Sequence, residues 1–125
     1  MAQAIIHLDT SFLIRALNAN SGEDKQLRGW MADGVRLGMS AIGWTEFLCG
    51  PLDQRQLALA AAIVGEPEPF LSEDSSKTAE LFNRSGRRRG SLIDCMIAAI
   101  AIRVGASLAT ANPSDFRCFS ALRLE

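Results

Sequence analysis

Short apolar stretches alternate along this chain with longer segments in which apolar residues recur at helical spacing. Residues 4–8 (AIIHL), 35–42 (VRLGMSAI) and 106–112 (ASLATAN) have the length and content of buried strands. Strands that alternate with helices build right-handed crossovers, and these place helices on both faces of a parallel sheet. We therefore predict an α/β fold, a three-layer sandwich with a central, mainly parallel sheet flanked by helices.

Helices are predicted between and around these strands, one of them with Thr45 near its start. The helix at 54–64 is expected to end at Gly65, and the helix at 91–104 near Gly105, because glycine interrupts a helical pattern. The helix at 75–86 is expected to turn its apolar residues inward, and two further short strands are predicted. These inward residues are Ala79, Leu81 and Phe82, and the short strands lie at 70–74 and 121–125.

Size and charge narrow the possibilities further. With 125 residues and 48% hydrophobic content, the chain is expected to form a single domain over residues 1–125. Its formal net charge of −1 gives no bulk attraction to nucleic acid or to anionic membranes, so such a partner would need a local patch. The longest apolar run, 95–102, is too short for a membrane span, and we expect a soluble, cytoplasmic protein.

The few cysteines and the single histidine argue against a zinc site. Cys49, Cys95 and Cys118 are widely spaced, and no Cys-x-x-Cys pair occurs. We expect them to be small buried thiols in a reducing compartment. His7 lies inside the first predicted strand and is expected to be a packed residue, not a general base.

Four acidic residues lie where catalytic groups gather in a parallel α/β sheet, near the carboxyl ends of the strands. Asp9 directly follows the first strand, Glu46 lies in an apolar patch after the second, and Asp115 follows the strand at 106–112. Asp94 opens the apolar helix SLIDCMIAAIAI. One edge of the predicted sheet could therefore collect all four.

Each of these acids also has a purely structural explanation. Asp9 could cap the following helix, and Glu46 could lie in a first helical turn, where the helix dipole favours negative charge. Asp94 has capping-box spacing to Ser91, and Asp115 could belong to a type I turn. Four independent caps and turns would not need to converge, whereas the members of a shared site would.

Converging carboxylates require protons or a cation. Two carboxylates about 5 Å apart repel by roughly 3 kcal/mol at an effective dielectric constant of ~20. Oxygen ligands with room for water and phosphate suit Mg²⁺ or Mn²⁺ better than zinc. Such an ion can generate a metal-bound hydroxide, which indicates phosphodiester hydrolysis.

The segments LDTSFLI, TEF, IDCMIAAIAIRVGASLATANPSDF and LRL resemble the PIN domain, in the small single-domain form of the VapC-type toxin ribonucleases. The resemblance runs nearly end to end. It implies an acidic site with Mg²⁺ or Mn²⁺ that hydrolyses RNA, usually to 5′-phosphate and 3′-hydroxyl ends. The implied catalytic and metal-binding residues are Asp9, Glu46, Asp94 and Asp115.

The resemblance also implies supporting residues and partners. Ser11 and Thr110 would support the site through hydroxyls, and Asn112 through its amide. The family pattern implies a homodimer and a cognate antitoxin whose inserted segment lies near the acidic pocket. Whether the chain is a toxin or a solitary ribonuclease of the same fold, and which RNA it cuts, stays open.

Arginines just before Asp94 could hold RNA phosphates beside the acidic site, or they could form a solvated loop. The cluster RSGRRRG contains Arg84, Arg87, Arg88 and Arg89, of which Arg87 and Arg88 are the candidates for RNA binding. The tryptophans, Trp30 and Trp44, are expected in core packing or a dimer contact and not on RNA bases.

Two other functions compete with the ribonuclease. A magnesium-dependent phosphatase also places an aspartate after its first parallel strand, but its Asp-x-Asp pattern is missing here, because Ser11 stands where the second acid belongs. A non-catalytic module of the same fold would only engage a protein partner. Metal binding and RNA cleavage separate these alternatives.

Overall fold

The computed structural model describes residues 3–88 and 91–125. Three strands, β1 (Ile5–Leu8), β2 (Arg36–Gly38) and β3 (Ser107–Ala109), form a parallel sheet in the order β2-β1-β3. Because β1 lies in the middle, the chain order reverses beside it, and its carboxyl end lies at a switch point of the topology. The predicted parallel α/β sheet is confirmed.

In the described residues, six α-helices surround this sheet. A one-turn 3-10 helix, Pro113–Asp115, follows β3. Two predicted helix ends are confirmed: Gly65 and Gly105 close their helices with φ of 69° and 73°, a conformation that glycine adopts without strain. The helices are α1 (Thr10–Ala16), α2 (Gly22–Ala32), α3 (Ala41–Leu48), α4 (Gln54–Val64), α5 (Ser72–Arg84) and α6 (Leu92–Val104).

The second strand is shorter than the predicted 35–42. It ends at Gly38 because Ser40 caps α3, and the Ser40 hydroxyl accepts a hydrogen bond of 2.9 Å from the N–H of Gly43. Residues 41 and 42 are therefore helical, and Thr45 lies in the middle of α3, not near its start. Similarly, the strand predicted at 121–125 is reduced to a single bridge between Leu124 and Leu108.

The strand predicted at 70–74 is wrong, because α5 begins at Ser72. The carboxylate of Asp74 accepts the Leu71 N–H at 2.8 Å in the first turn of this helix. The segment before α5 instead forms an isolated bridge between Glu68 and Ser40, just beyond the end of β2. α5 buries Leu81 as expected, but Ala79 is exposed and Phe82 is only half-buried.

Helices cover both faces of the sheet, because side chains alternate along β1. Ile6 and Leu8 pack in one buried cluster with residues of α1 to α4. Ile5, on the other face, packs against a second cluster built mainly from α6, β3 and the chain that follows. The predicted three-layer arrangement is confirmed.

α6 is buried along most of its length. Cys95 and all residues of 97–101 are at most 2% exposed, and burial of a side chain such as Ile100 stabilises the fold by about 2 kcal/mol. This packing gives Asp94, in the first turn of α6, a fixed place. None of the helices in the described ranges has both the length and the apolar content to span a bilayer.

Arg103 joins α6 to α5 and to the chain between α4 and α5. Its Nε donates to both carboxylate oxygens of Asp74, at 2.9 and 3.1 Å. Its Nη1 donates to Oε1 of Glu68 at 2.9 Å, and its Nη2 to the carbonyl oxygen of Pro69 at 2.9 Å. Asp74 is only 1% exposed, so this guanidinium compensates a buried charge.

His7 is a packed residue, as predicted. Burial lowers its pKa to about 4, so the imidazole is neutral at pH 7. A side chain at Gly38 would meet the His7 ring at 3.2 Å. The two positions are matched across the β1–β2 pair, where residue 38 leaves space for the ring.

The remaining packing predictions are mixed. Cys95 is buried, but Cys49 and Cys118 are exposed, so the expectation of buried thiols is wrong for these two. Both tryptophans pack in the protein: Trp30 stacks on a phenylalanine of α1, with ring centroids 5.5 Å apart, and Trp44 on one of α3, at 5.3 Å.

Candidate active site

Asp9 lies at the carboxyl end of β1, immediately before α1. Its backbone occupies the N-cap position, but its side chain makes no capping hydrogen bond. Instead, Oδ2 of Asp9 accepts hydrogen bonds of 2.8 Å from the hydroxyls of both Ser11 and Thr110. The capping explanation of this side chain is therefore wrong, and the carboxylate belongs to a network that joins β1 to β3.

The two hydroxyls also contact each other and the chain after β3. The Oγ of Ser11 lies 3.3 Å from Oγ1 of Thr110 and accepts the Ala111 N–H at 3.1 Å. Thr110 Oγ1 accepts the Asn112 N–H at 3.0 Å. Ser11 and Thr110 therefore contact Asp9 through their hydroxyls, whereas Asn112 contacts Thr110 through its backbone N–H, not through its side-chain amide.

Glu46 lies in the second half of α3. The helix begins at Ala41, and no acid occupies its first turn, so the helix-dipole explanation of Glu46 is wrong. Burial, followed by the negative charge of Asp9, raises the pKa of Glu46. Glu46 therefore lies within electrostatic range of the carboxylate that follows β1.

Asp94 does not form the capping box that its spacing suggested. The Ser91 hydroxyl makes no cap, and it donates to the carbonyl oxygen of Arg88 at 2.7 Å. Burial is the main cause that raises the pKa of Asp94 to about 6, and the charges of Asp115, Asp9 and Glu46 add to it in that order. The charge of Arg88 opposes them.

Asp115 lies in a turn after β3, as one of its two explanations expected. It ends the 3-10 turn, in which its N–H donates to the carbonyl oxygen of Asn112 at 3.1 Å. It also lines a pocket of about 380 Å³ together with Arg88, Ser91 and Asp94. The turn therefore presents an exposed carboxylate beside Asp94.

Asp9, Glu46 and Asp115 lie within electrostatic range of Asp94, because the charge of each contributes to the raised pKa of Asp94. Within residues 3–88 and 91–125, however, no three Asp, Glu, His or Cys side chains stand close enough to share one directly bound ion. In the same ranges, the hydrogen bonds to Asp9 end on Oδ2, which leaves Oδ1 available. An all-oxygen set of this kind fits a hydrated hard cation, since Mg²⁺ keeps several waters and takes few direct carboxylates.

The candidate RNA-binding arginines differ in position. Both Arg87 and Arg88 are exposed, but only Arg88 lines the pocket with Asp94 and Asp115. Arg84 forms an ion pair of 3.3 Å with a glutamate one turn earlier in α5. The remaining arginine of the cluster, Arg89, lies outside the described residues.

Sequence reasoning missed Thr10, which connects α1 to α3. Its Oγ1 donates to the carbonyl oxygen of Gly43 at 2.9 Å and lies 3.3 Å from Oε1 of Glu46. The only available signal was a hydroxyl residue directly after the acid that ends the first strand. Its partners lie more than 30 positions further along the chain, and no local pattern identifies them.

Comparison with known proteins identifies the family of this chain. A family model of the PIN domain matches residues 6–120. A search of the curated proteins found no match.

Solved structures share the fold. A chain of VapBC2 from Rickettsia felis, bound to a DNA fragment from the promoter, is 24% identical over 97% of both chains, with a TM-score of 0.80. A chain of DNA-bound VapBC from Salmonella typhimurium is 20% identical over 98% of both chains, with a TM-score of 0.76.

VapC20 from Mycobacterium tuberculosis, a toxin that cleaves the sarcin-ricin loop, is 22% identical. The match covers 84% of this chain and 86% of that one, with a TM-score of 0.59. The family model extends from β1 past the 3-10 turn and includes all four acids. The chain therefore belongs to the PIN-domain family.

Proposed function

We propose that this protein is a metal-dependent ribonuclease that hydrolyses RNA phosphodiester bonds, and that it is the toxin of a type II toxin–antitoxin pair. The observation that carries the proposal is the pocket that Asp94 and Asp115 line together with Arg88, where burial, followed by the charges of three other acids, raises the pKa of Asp94 to about 6. An acid with a strongly perturbed pKa in a polar pocket is typical of a functional site. Membership of the PIN-domain family supports the same reaction.

Mg²⁺ or Mn²⁺ would be held by the carboxylates of Asp9, Glu46, Asp94 and Asp115. Some of these would act through water, in keeping with the spacing of the acids in the described ranges. When bound, the ion supplies positive charge to the phosphodiester and activates water for attack on it.

The protein's own residues prepare the site and hold RNA. The hydroxyls of Ser11 and Thr110 fix the orientation of Asp9, because both donate to the same oxygen. Arg88 lies in the pocket with Asp94, and its guanidinium offers paired N–H donors to an RNA phosphate that the acids would repel. Asn112, whose backbone N–H donates to Thr110, and Arg87, which lies outside the pocket lining, remain predicted contributors.

The partners we propose are a cognate antitoxin and a second copy of the chain, in the cytoplasm. The similar VapBC structures are complexes, and they support the first of these. The first four helices also expose large apolar side chains, which partner proteins commonly cover. These side chains are Ile14, Met31, Leu48, Leu57 and Leu59.

The decisive experiment is cleavage of a pool of cellular RNA by purified, partner-free protein. We expect cutting with Mg²⁺ or Mn²⁺, none with EDTA, and a loss of at least a hundredfold in Asp9→Asn. Asp33→Asn is the matched control, because Asp33 is an exposed acid at the end of α2 and should not affect cleavage. Metal-independent cutting, or equal activity of both variants, would refute the proposal.

A non-catalytic PIN module is the alternative that the acid spacing favours, since no three acids of the described ranges form a ready cluster. Calorimetric titration with Mn²⁺ separates the two, and an absence of binding below millimolar concentrations would favour the module. The phosphatase loses support, because Ser11 donates a hydrogen bond to Asp9 in place of a second acid.

A further inference from the structure

The hydroxyl of Thr10 contacts two groups on one face of α3. It donates to the carbonyl oxygen of Gly43 at 2.9 Å and lies 3.3 Å from Oε1 of Glu46. Gly43 and Glu46 are three residues apart, so they are neighbours on the helix surface. Thr10 therefore joins the turn after β1 to the helix that carries Glu46.

Glu46 needs such a contact to stay in the site. Its side chain is partly exposed, and a free glutamate loses conformational entropy when it is held in one orientation. The charge of Asp9, the residue directly before Thr10, repels it. A hydroxyl donor beside Oε1 counteracts both effects, and it belongs to the same turn as Asp9.

We propose that Thr10 is a positioning residue that holds Glu46 beside Asp9 for binding of the divalent ion. This inference rests on the proposed function. Gly43 has a defined part in it: its carbonyl oxygen, 2.9 Å from Oγ1 of Thr10, holds the hydroxyl against α3, and the single hydroxyl proton is shared between this oxygen and Oε1 of Glu46 at 3.3 Å.

The test is calorimetric titration of the purified chain with Mn²⁺. Thr10→Val keeps the side-chain shape but removes the hydroxyl, and we expect its Kd to rise about three- to tenfold, the range for one hydrogen bond. Thr10→Ser keeps the hydroxyl and should stay within about twofold of wild type. Thr45→Val is the matched control on α3, because the Thr45 hydroxyl donates only to its own helix, to the Ala41 carbonyl at 2.8 Å.

A double-mutant cycle tests whether Thr10 affects Mn²⁺ binding through Glu46. If Thr10 acts through Glu46, Thr10→Val should not weaken Mn²⁺ binding further in a Glu46→Gln background. RNA cleavage by Thr10→Val should return to the wild-type rate at saturating Mn²⁺, a recovery that a merely damaged fold would not show.

The outcomes are distinguishable. Equal Mn²⁺ affinity of Thr10→Val and Thr45→Val, with wild-type binding and cleavage intact, would overturn the inference alone. Additive losses in the cycle would also overturn it, because Thr10 would then act independently of Glu46. An absence of Mn²⁺ binding by the wild type itself would overturn the proposed function and the inference with it.

Discussion

The hydroxyl of Thr110 donates a hydrogen bond of 2.8 Å to Oδ2 of Asp9, although the two residues are 101 positions apart in sequence. Parallel pairing of β1 with β3 brings them together, since Leu8 and Ala109 are paired just before them. The orientation of the first acid thus depends on the last strand.

Thr110→Val should therefore lower RNA cleavage by about tenfold or more, because a hydrogen bond to a charged group contributes about 1.5–3 kcal/mol. Initial cleavage rates at a fixed Mg²⁺ concentration measure this. Thr78→Val is the control: among the described residues its buried hydroxyl has no partner, so its loss should leave cleavage unchanged and stabilise the fold slightly. Equal cleavage by the two valine variants would contradict the role of Thr110.

Asp94→Asn should abolish metal-dependent cleavage and raise the melting temperature at pH 7. It removes a charge that its neighbours repel, and it breaks no capping bond. Asp53→Ala provides the contrast, because Asp53 caps α4 in a complete capping box with Gln56, and its loss should lower stability by about 1 kcal/mol. A melting temperature that fell in Asp94→Asn would indicate a structural role for the acid.

The raised pKa of Asp94 should make the free energy of unfolding depend on pH. Between pH 3.8 and about 6 the native state holds a proton that the unfolded chain has released, so stability falls as pH rises through this window. Because Asp94 is partly exposed, solvent screens its charge, and we expect the free energy of unfolding to change by about 1–2 kcal/mol across this window.

Urea unfolding at several pH values measures this effect, but wild type alone does not isolate it. The pKa of His7 is lowered to about 4, so its contribution to the free energy of unfolding changes with pH in the opposite direction. That contribution is lost as pH falls below 6.5, the ordinary pKa of histidine. The difference between wild type and Asp94→Asn removes this contribution. A difference independent of pH would show that Asp94 titrates as it does in the unfolded chain.

Arg88→Ala should weaken RNA binding and flatten its salt dependence, whereas Arg87→Ala should have a smaller effect. Arg88 lines the acidic pocket and Arg87 does not. Loss of one phosphate contact on single-stranded RNA lowers the slope of log K against log salt by about 0.7. RNA binding by the Asp94→Asn protein, measured between about 50 and 200 mM salt, gives this slope. Equal slopes for the two arginine variants would contradict the assignment.

Arg103→Ala should lower the free energy of unfolding by about 3–5 kcal/mol, since it leaves the buried carboxylate of Asp74 without its cation. Arg84→Ala, which removes an exposed ion pair of α5, should cost less than about 1 kcal/mol. Urea unfolding measures both. Similar values would mean that Asp74 is compensated by other groups.

The sheet and the places of the acids could be predicted because they depend on local signals: apolar strands, the acid that follows each strand, and the glycines that close α4 and α6. A local signal also predicts that α5 begins where a strand was expected, at 70–74. Glu73 and Asp74 lie in the first turn of that helix, where acids complement the helix dipole, and this signal outweighs the apolar pair before them.

The position of Glu46 within α3 can also be predicted from a local signal, because Ser40 is a good N-cap and marks the start of the helix. No local signal predicts the contact of Thr10 with α3 or the network around Arg103. Their partners lie about 30 positions away in sequence, and only the packing of helices against the sheet brings them together.

The pairing of β1 with β3 also sets the order in which the site can form during synthesis. A ribosome delivers Asp9 and Glu46 in the first half of the chain, but Asp94, Thr110 and Asp115 emerge only after β1, β2 and five helices. A nascent chain that has just reached β3 carries three of the four acids, but it lacks Asp115 and the Thr110 hydroxyl that orients Asp9. The site can therefore be completed only after nearly the whole chain has been synthesised, since its last acid is Asp115 of 125 residues.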